Sequence, residues 1–207
     1  MHLLEVFTLK VMYEVRPESN NRHVVVESWD HSVEVKSPIE KARATFIRMK
    51  PFLCHRDLGL DMKMRIVRCY VYPVLLYGAE SWTLSEDAER RIQAFEMWVY
   101  RRLLRISWVD RVTNAQVLHG MGCSQPELLY IVKKRKLEYL GHVLRNEEKY
   151  RLLQNVLQGK VKGGPGRLRI SWLANLRKWF GVSSVKLFRR AVHKSGLAEM
   201  IANIQTG

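Results

Sequence analysis

Cysteine is scarce and odd in number: Cys54, Cys69 and Cys123 stand far apart in a chain of 207 residues. That spacing matches neither a disulfide framework nor paired zinc ligands, and it suits a reducing compartment. His119 and Cys123 are four residues apart, but Gly120 and Gly122 weaken any helix there. Two ligands do not make a metal site in any case. Long hydrophobic runs are missing too. The longest uncharged stretch, Cys69–Ala79, has eleven residues with Pro73 in its middle, too short to cross a bilayer. The opening MHLLEVFTLKV is interrupted by Glu5 and Lys10, which argues against a signal peptide. No Asp-Asp pair occurs anywhere, and no Ser-His-Asp or Cys-His arrangement follows from spacing. Metal-dependent nucleotidyl transfer needs two or three carboxylates converging on Mg²⁺. The candidate pair Glu86–Asp87 falls where a helix N-terminus favours negative charge, which explains it without catalysis. Asp110, beside Arg111, reads as part of a turn or a local ion pair. The expectation is a soluble intracellular chain with no catalytic residue, metal or cofactor, no membrane partner and no small-molecule substrate. Nucleus and cytoplasm are not distinguished, since basic clusters serve both binding and import.

What is plentiful is positive charge. Lys and Arg number 35 against 20 Asp and Glu, a net +15. An apolar content of 47%, with six Trp, eight Tyr and six Phe, argues for a folded protein rather than a basic tail. The charge is unevenly spread. Residues 1–37 carry four basic and six acidic side chains, whereas Lys133–Arg190 carries sixteen basic and three acidic. Such a balance favours an anionic partner, nucleic acid before acidic membrane.

Along the chain, His23–Val35 (HVVVESWDHSVEV) is β-branched and partly alternating, which predicts a strand pair in the leader, residues 1–36, unless that leader is disordered. From residue 37 to 207 the pattern is helical. Ser37-Pro-Ile-Glu40 reads as a capping box, with Ile39, Ala42, Phe46, Met49 and Leu53 as the apolar stripe behind it. A second helix is expected from about Asp61, burying Met64, Val67 and Val71, kinked or ended by Pro73 and closed at Gly78. Ser85 caps a third, with Ile92, Phe95, Val99, Leu103 and Ile106 buried and Arg101, Arg102 and Arg105 in its last turns. Thr113-Asn-Ala-Gln116 and Ser124-Gln-Pro-Glu127 are further capping boxes, the second opening a helix to about Arg145. Helices near Tyr150–Leu157, Ser171–Phe180 and Ser184–Lys194 follow. The fold class is all-α: an irregular array of about six to nine short helices, with a small β-hairpin as the one β element. Tyr77, Trp82, Trp98, Trp108, Trp172, Trp179 and Phe180 all read as core aromatics.

Residues 159–169 form a basic glycine-rich loop containing KVKGGPGRLR. A nucleoside-triphosphate loop needs Lys followed by Ser or Thr after its last Gly, but Gly166 is followed by Arg167 and Leu168. The dinucleotide pattern also fails, because Gly163, Gly164 and Gly166 have the wrong spacing. Lys160, Lys162, Arg167 and Arg169 instead suit the backbone phosphates of a polymer, with Lys133, Lys136, Arg177 and Lys178 as flanking support. The competing reading is a solvated connector with incidental charge. For Lys133–Lys136 a solvated face is the default, since consecutive helical positions point in different directions.

Four phrases then agree with one another: LLYGAESWTL (75–84), AFEMWVYRRLLRISWVDRVTN (94–114), KKRKLEYLGHVLR (133–145) and GKVKGGPGRLRISWLANLRKW (159–179). In order and spacing they resemble the region after the polymerase core in LINE-type, non-LTR retrotransposon reverse transcriptases, from about Ser37 to Trp179. Complete members of that family carry an endonuclease and a polymerase palm with an aromatic-Ala-Asp-Asp turn. Neither has a counterpart here, so no catalytic residue carries over. The resemblance implies a truncated thumb and post-thumb region, and residues 1–36 read as an unrelated leader. Its partner would be the backbone of RNA, an RNA–DNA hybrid or DNA. Other readings stay open: a remnant without function, a thumb acting only with an intact polymerase, and a helix-turn-helix around Thr113–Arg145.

Overall fold

The computed structural model describes residues 31–160 and 171–204, and every regular element among them is helical. Helix α1, His31–Leu53, starts earlier than its sequence signal. Val35 is fully buried one turn ahead of Ile39, so the apolar stripe Val35-Ile39-Ala42-Phe46 continues upstream through the expected capping box. Ser37 is therefore an interior residue rather than a cap, and Pro38 removes one hydrogen bond from within the helix. The strand pair expected over His23–Val35 gives way to helix at His31–Val35, where Val35 extends that stripe; residues 23–30 lie outside the described residues.

The segment α2 runs over Leu60–Ile66, a π turn at Val67–Val71, and Tyr72–Leu75. Pro73 has no N–H to offer the carbonyl four residues back. The chain widens instead of stopping, and the Tyr72 N–H donates to the Val67 carbonyl five residues back. Met64, Val67 and Val71 are buried as their spacing predicts, and Gly78 closes the segment with φ 70°. Helix α3, Glu86–Leu103, is capped by Ser85, whose Oγ accepts from Ala88 N at 3.2 Å. Ile92, Phe95, Val99 and Leu103 form its buried face. Ile106 lies beyond its end and is half-buried. Helix α4, Asn114–Gly120, has the complete expected capping box: Gln116 N donates to Thr113 Oγ1 and Thr113 N to Gln116 Oε1. Then come α5, Leu128–Arg145; α6, Glu147–Leu157; α7, Trp172–Phe180; α8, Ser184–Val192; and α9, Lys194–Asn203. The last is an element for which the sequence pattern gives no separate signal.

The chain divides into two units, Asp30–Val132 and Lys133–Gly207, the division falling inside α5. In the first, α1 packs on α3 and on α2, and α4 on α3. Its largest fully buried side chains include Tyr72, Tyr100, Phe46 and Phe95. In the second, the core is Leu137, Leu140, Val143, Leu153, Trp172, Leu176, Leu187 and Ala191, gathered from α5 to α8. Trp82 and Trp172 are core residues as expected, and Trp179 and Phe180 pack on the core's edge. Two aromatics are not: Tyr77 is 69% exposed and Trp108 89%. Both sit outside the α-helices, where periodicity assigns no face. Among the described residues no helix is long and apolar enough to cross a membrane.

Candidate nucleic-acid interface

The residues expected to hold phosphate meet different fates. Lys160 is exposed, three residues past the end of α6 and next to Gly159, which takes a left-handed turn (φ 72°). Lys162, Arg167 and Arg169 lie outside the described residues. Arg177 and Lys178 are exposed in the last turn of α7, near the negative end of its dipole. Lys133 is half-buried, its Nζ 5.6 Å from the Trp179 ring centre.

Lys136 is the correction. It is fully buried, with Nζ donating to Asn175 Oδ1 at 2.8 Å and lying 4.8 and 5.2 Å from the rings of Trp172 and Trp179. Its place on α5 is one position before Leu137 and four before Leu140, on the face that meets α7. Helical geometry turns it inward while Arg135 stays exposed, so Lys136 is part of the core packing and does not face an external polymer.

The surface of the second unit nonetheless remains strongly basic. Among the described residues from 133 to 204, eleven Lys or Arg side chains are exposed, against four carboxylates. Lys186, Arg189 and Arg190 on α8 fall at i, i+3 and i+4, which places them on one face, with Leu187 and Ala191 buried on another.

Carboxylates are arranged for structure. Glu96, in α3, is fully buried. Its Oε1 accepts from the Tyr100 hydroxyl at 2.5 Å, the Tyr72 hydroxyl at 3.4 Å and Glu127 N at 2.7 Å, and its Oε2 accepts from Leu128 N at 3.0 Å. It thus supplies acceptors to the first amides of α5, which a residue at the helix's own start usually provides. Glu127, the acid of the expected capping box, instead binds Arg68 in a two-pronged pair at 2.8 and 2.9 Å. Burial pushes the Glu96 carboxyl above its ordinary range, while hydrogen bonds from Tyr100, Leu128 and Glu127 act in the opposite sense. Burial also raises the Tyr72 and Tyr100 hydroxyls, with Glu96 beside them adding to it. Asp87 holds Arg91 at 2.6 Å, and Asp110 accepts from Ser107 N at 2.6 Å in a local turn. Among the described residues no three His, Cys, Asp or Glu side chains stand together as a metal site would need.

Sequence reasoning missed a cleft of about 1130 Å³ in the first unit, formed by the end of α1, the end of α3 and the connection to α4. Six of its lining residues are basic: Lys50, Arg56, Arg101, Arg102, Arg105 and Arg111. Arg101 and Arg102 at the end of α3, and Arg105 just past it, were legible only as complements to the helix dipole. Their convergence with residues about fifty positions earlier left no signal in spacing.

No protein-family model matches the chain, and no solved structure does. Over 129 residues it is 30% identical to a Caenorhabditis elegans protein described as uncharacterized and transposon-derived, and the match takes in 59% of this chain and 46% of that protein. The chain therefore aligns with less than half the length of that relative, to which it is similar.

Proposed function

We propose that this chain is a transposon-derived, non-catalytic nucleic-acid-binding fragment, corresponding to the thumb and post-thumb region of a LINE-type reverse transcriptase. It holds the backbone of RNA or an RNA–DNA hybrid. The observation that carries this reading is the excess of exposed cations on the second unit, eleven against four among its described residues. Four motifs in family order and the similarity to a protein described as transposon-derived support the origin. Binding of this kind is largely independent of sequence and driven by release of counterions, so its affinity falls steeply with salt.

The test is a titration of the full chain into labelled RNA–DNA hybrid, duplex RNA and duplex DNA across a salt series. A variant reversing Lys160, Lys162, Arg167 and Arg169 is titrated in parallel. Tight, salt-steep binding that the reversal weakens supports the reading. Affinity unchanged by the reversal removes the loop from the site. A wild-type chain that binds none of the three sinks the function and leaves a transposon remnant whose charge has no task.

A further inference from the structure

The geometry points to the basic cleft of the first unit as a second site, one that takes single-stranded nucleic acid with an unpaired base stacked on Trp108. This deepens the function just proposed and rests on it.

The lining speaks first. Pockets for small molecules usually span about 300–1,000 Å³. This one is larger, and the basic side chains of its wall face one carboxylate, Asp57, which lies 3.4 Å from His55 Nδ1. None of Lys50, Arg56 or Arg111 meets a carboxylate at ion-pair distance among the described residues. Arg101 and Arg105 are positioned by neutral acceptors: Arg101 donates to the Val112 carbonyl at 3.1 Å and Asn114 Oδ1 at 2.8 Å, and Arg105 donates to the Cys54 carbonyl. These bonds orient the guanidinium groups without neutralising them, which is the condition for recruiting an anion.

Trp108 speaks second. It is 89% exposed, yet it opens a short 3-10 turn fixed by a full capping box between Ser107 and Asp110. A large apolar ring held in water by a rigid turn, beside a cationic cleft, is the arrangement of a base-stacking platform. Duplexes offer no free base face along their length, so the combination selects an unpaired strand.

Backbone strain is the third and independent observation. Among the described residues two that are not glycine have left-handed backbone, Arg105 (φ 59°) and Arg111 (φ 49°), and both line this cleft. At Arg105 the comparison is internal to the chain. Helices α3, α4 and α6 all end in the same paired bonds: Ile106 N to Arg101 O and Arg105 N to Arg102 O, Cys123 N to Leu118 O and Gly122 N to His119 O, Lys160 N to Asn155 O and Gly159 N to Val156 O. The left-handed position is glycine in α4 and α6, as sterics favour, and arginine in α3 alone. A side chain retained at a position that disfavours one points to a task for it.

The experiment titrates the full chain into labelled oligo-uridylate, oligo-deoxythymidylate and blunt RNA–DNA hybrid, with polyglutamate as a competing polyanion. Trp108→Ala should weaken single-strand binding by about tenfold to a hundredfold, leaving hybrid binding and the thermal melt unchanged. A Lys50→Glu, Arg56→Glu variant, altering two exposed side chains with ordinary backbone, should lower the slope of log affinity against log salt by about 0.7 for each phosphate no longer neutralised. Single-strand affinity within about twofold of wild type in both variants, with hybrid binding still sensitive to the 159–169 loop, overturns the cleft and leaves the wider function standing. Polyglutamate competing as well as the oligonucleotides, with no dependence on Trp108, also overturns it and assigns the cleft to an acidic protein segment. A chain that binds no nucleic acid at all removes both.

Discussion

Lys136 Nζ donates to Asn175 Oδ1 at 2.8 Å inside the second unit, between the rings of Trp172 and Trp179. A basic residue that composition assigns to the surface joins α5 to α7 in the core. Removing one partner leaves a buried polar group short of a bond, which costs about 1.5–3 kcal/mol where a charged group is involved. Asn175→Leu should therefore lower the melting temperature of this unit by about 6–24 °C, at roughly 4–8 °C per kcal/mol for a domain of this size. The double change Lys136→Met, Asn175→Leu replaces both partners with apolar groups and should recover most of that loss. Additive losses in thermal melts of the two singles and the double would refute the pairing.

Glu96 gives the first unit a defined pH dependence. Its carboxyl is raised by burial, so the folded state binds the proton more tightly than the unfolded chain, where the value is about 4.3. The contribution to stability is full below that unfolded value. It declines as pH rises toward the folded one and is constant above it. Glu96→Gln removes the titration, and its amide presents N–H groups to donors that now find acceptors. The variant should be less stable throughout, and wild type should gain on it as pH falls from neutral toward 4. Thermal melts across that range decide the matter, and parallel profiles would count against a raised Glu96.

Much of this fold was readable because helices announce themselves locally. Ser85 and Thr113 cap as their hydroxyls predict, and Met64, Val67 and Val71 are buried at their periodic positions. The failures share a cause, which is that local signals compete with tertiary ones. Ser37 has the chemistry of a cap, but Val35 extends the buried stripe beyond it and the helix follows the stripe. Glu127 has the chemistry of a capping box acid, but Arg68 takes it and Glu96 replaces it from another helix. Trp108 is a tryptophan, and side-chain type alone assigns it to a core, yet a two-bond turn keeps it outside. Of the candidate site, the basic character of the second unit was legible from composition. The cleft in the first was not, because Lys50 and Arg56 meet Arg101, Arg105 and Arg111 only through the packing of α1 on α3.

Gly141, in α5, is required by a close approach rather than by its backbone angle. A Cβ there would lie 2.7 Å from Arg145 Nη1, 3.0 Å from the Ala191 carbonyl and 3.1 Å from Leu197 Cδ2. Arg145 itself donates to that carbonyl at 3.0 Å, so the side chain cannot withdraw without losing the bond. Alanine adds about 1 kcal/mol of helix propensity, whereas overpacking a close approach costs about 1–3 kcal/mol. Gly141→Ala should thus destabilise the second unit despite the better helix former. A raised melting temperature would show that α8 and α9 yield at this point.

Arg105 separates stability from binding. A non-glycine residue in the left-handed region costs about 1–2 kcal/mol, and the bond from Arg105 to the Cys54 carbonyl returns about 0.5–1.5 kcal/mol. Arg105→Gly should leave the stability of the first unit within about 1 kcal/mol of wild type, while single-strand affinity falls with the loss of a cleft cation. The reciprocal change, Gly122→Arg, meets open space for its Cβ and carries the same backbone penalty at φ 69°, so it should cost about 1–2 kcal/mol and leave binding unaltered. Melts and single-strand titrations on both variants give four numbers. If Arg105→Gly lowers stability substantially, or keeps full single-strand affinity, the arginine serves the fold rather than the cleft.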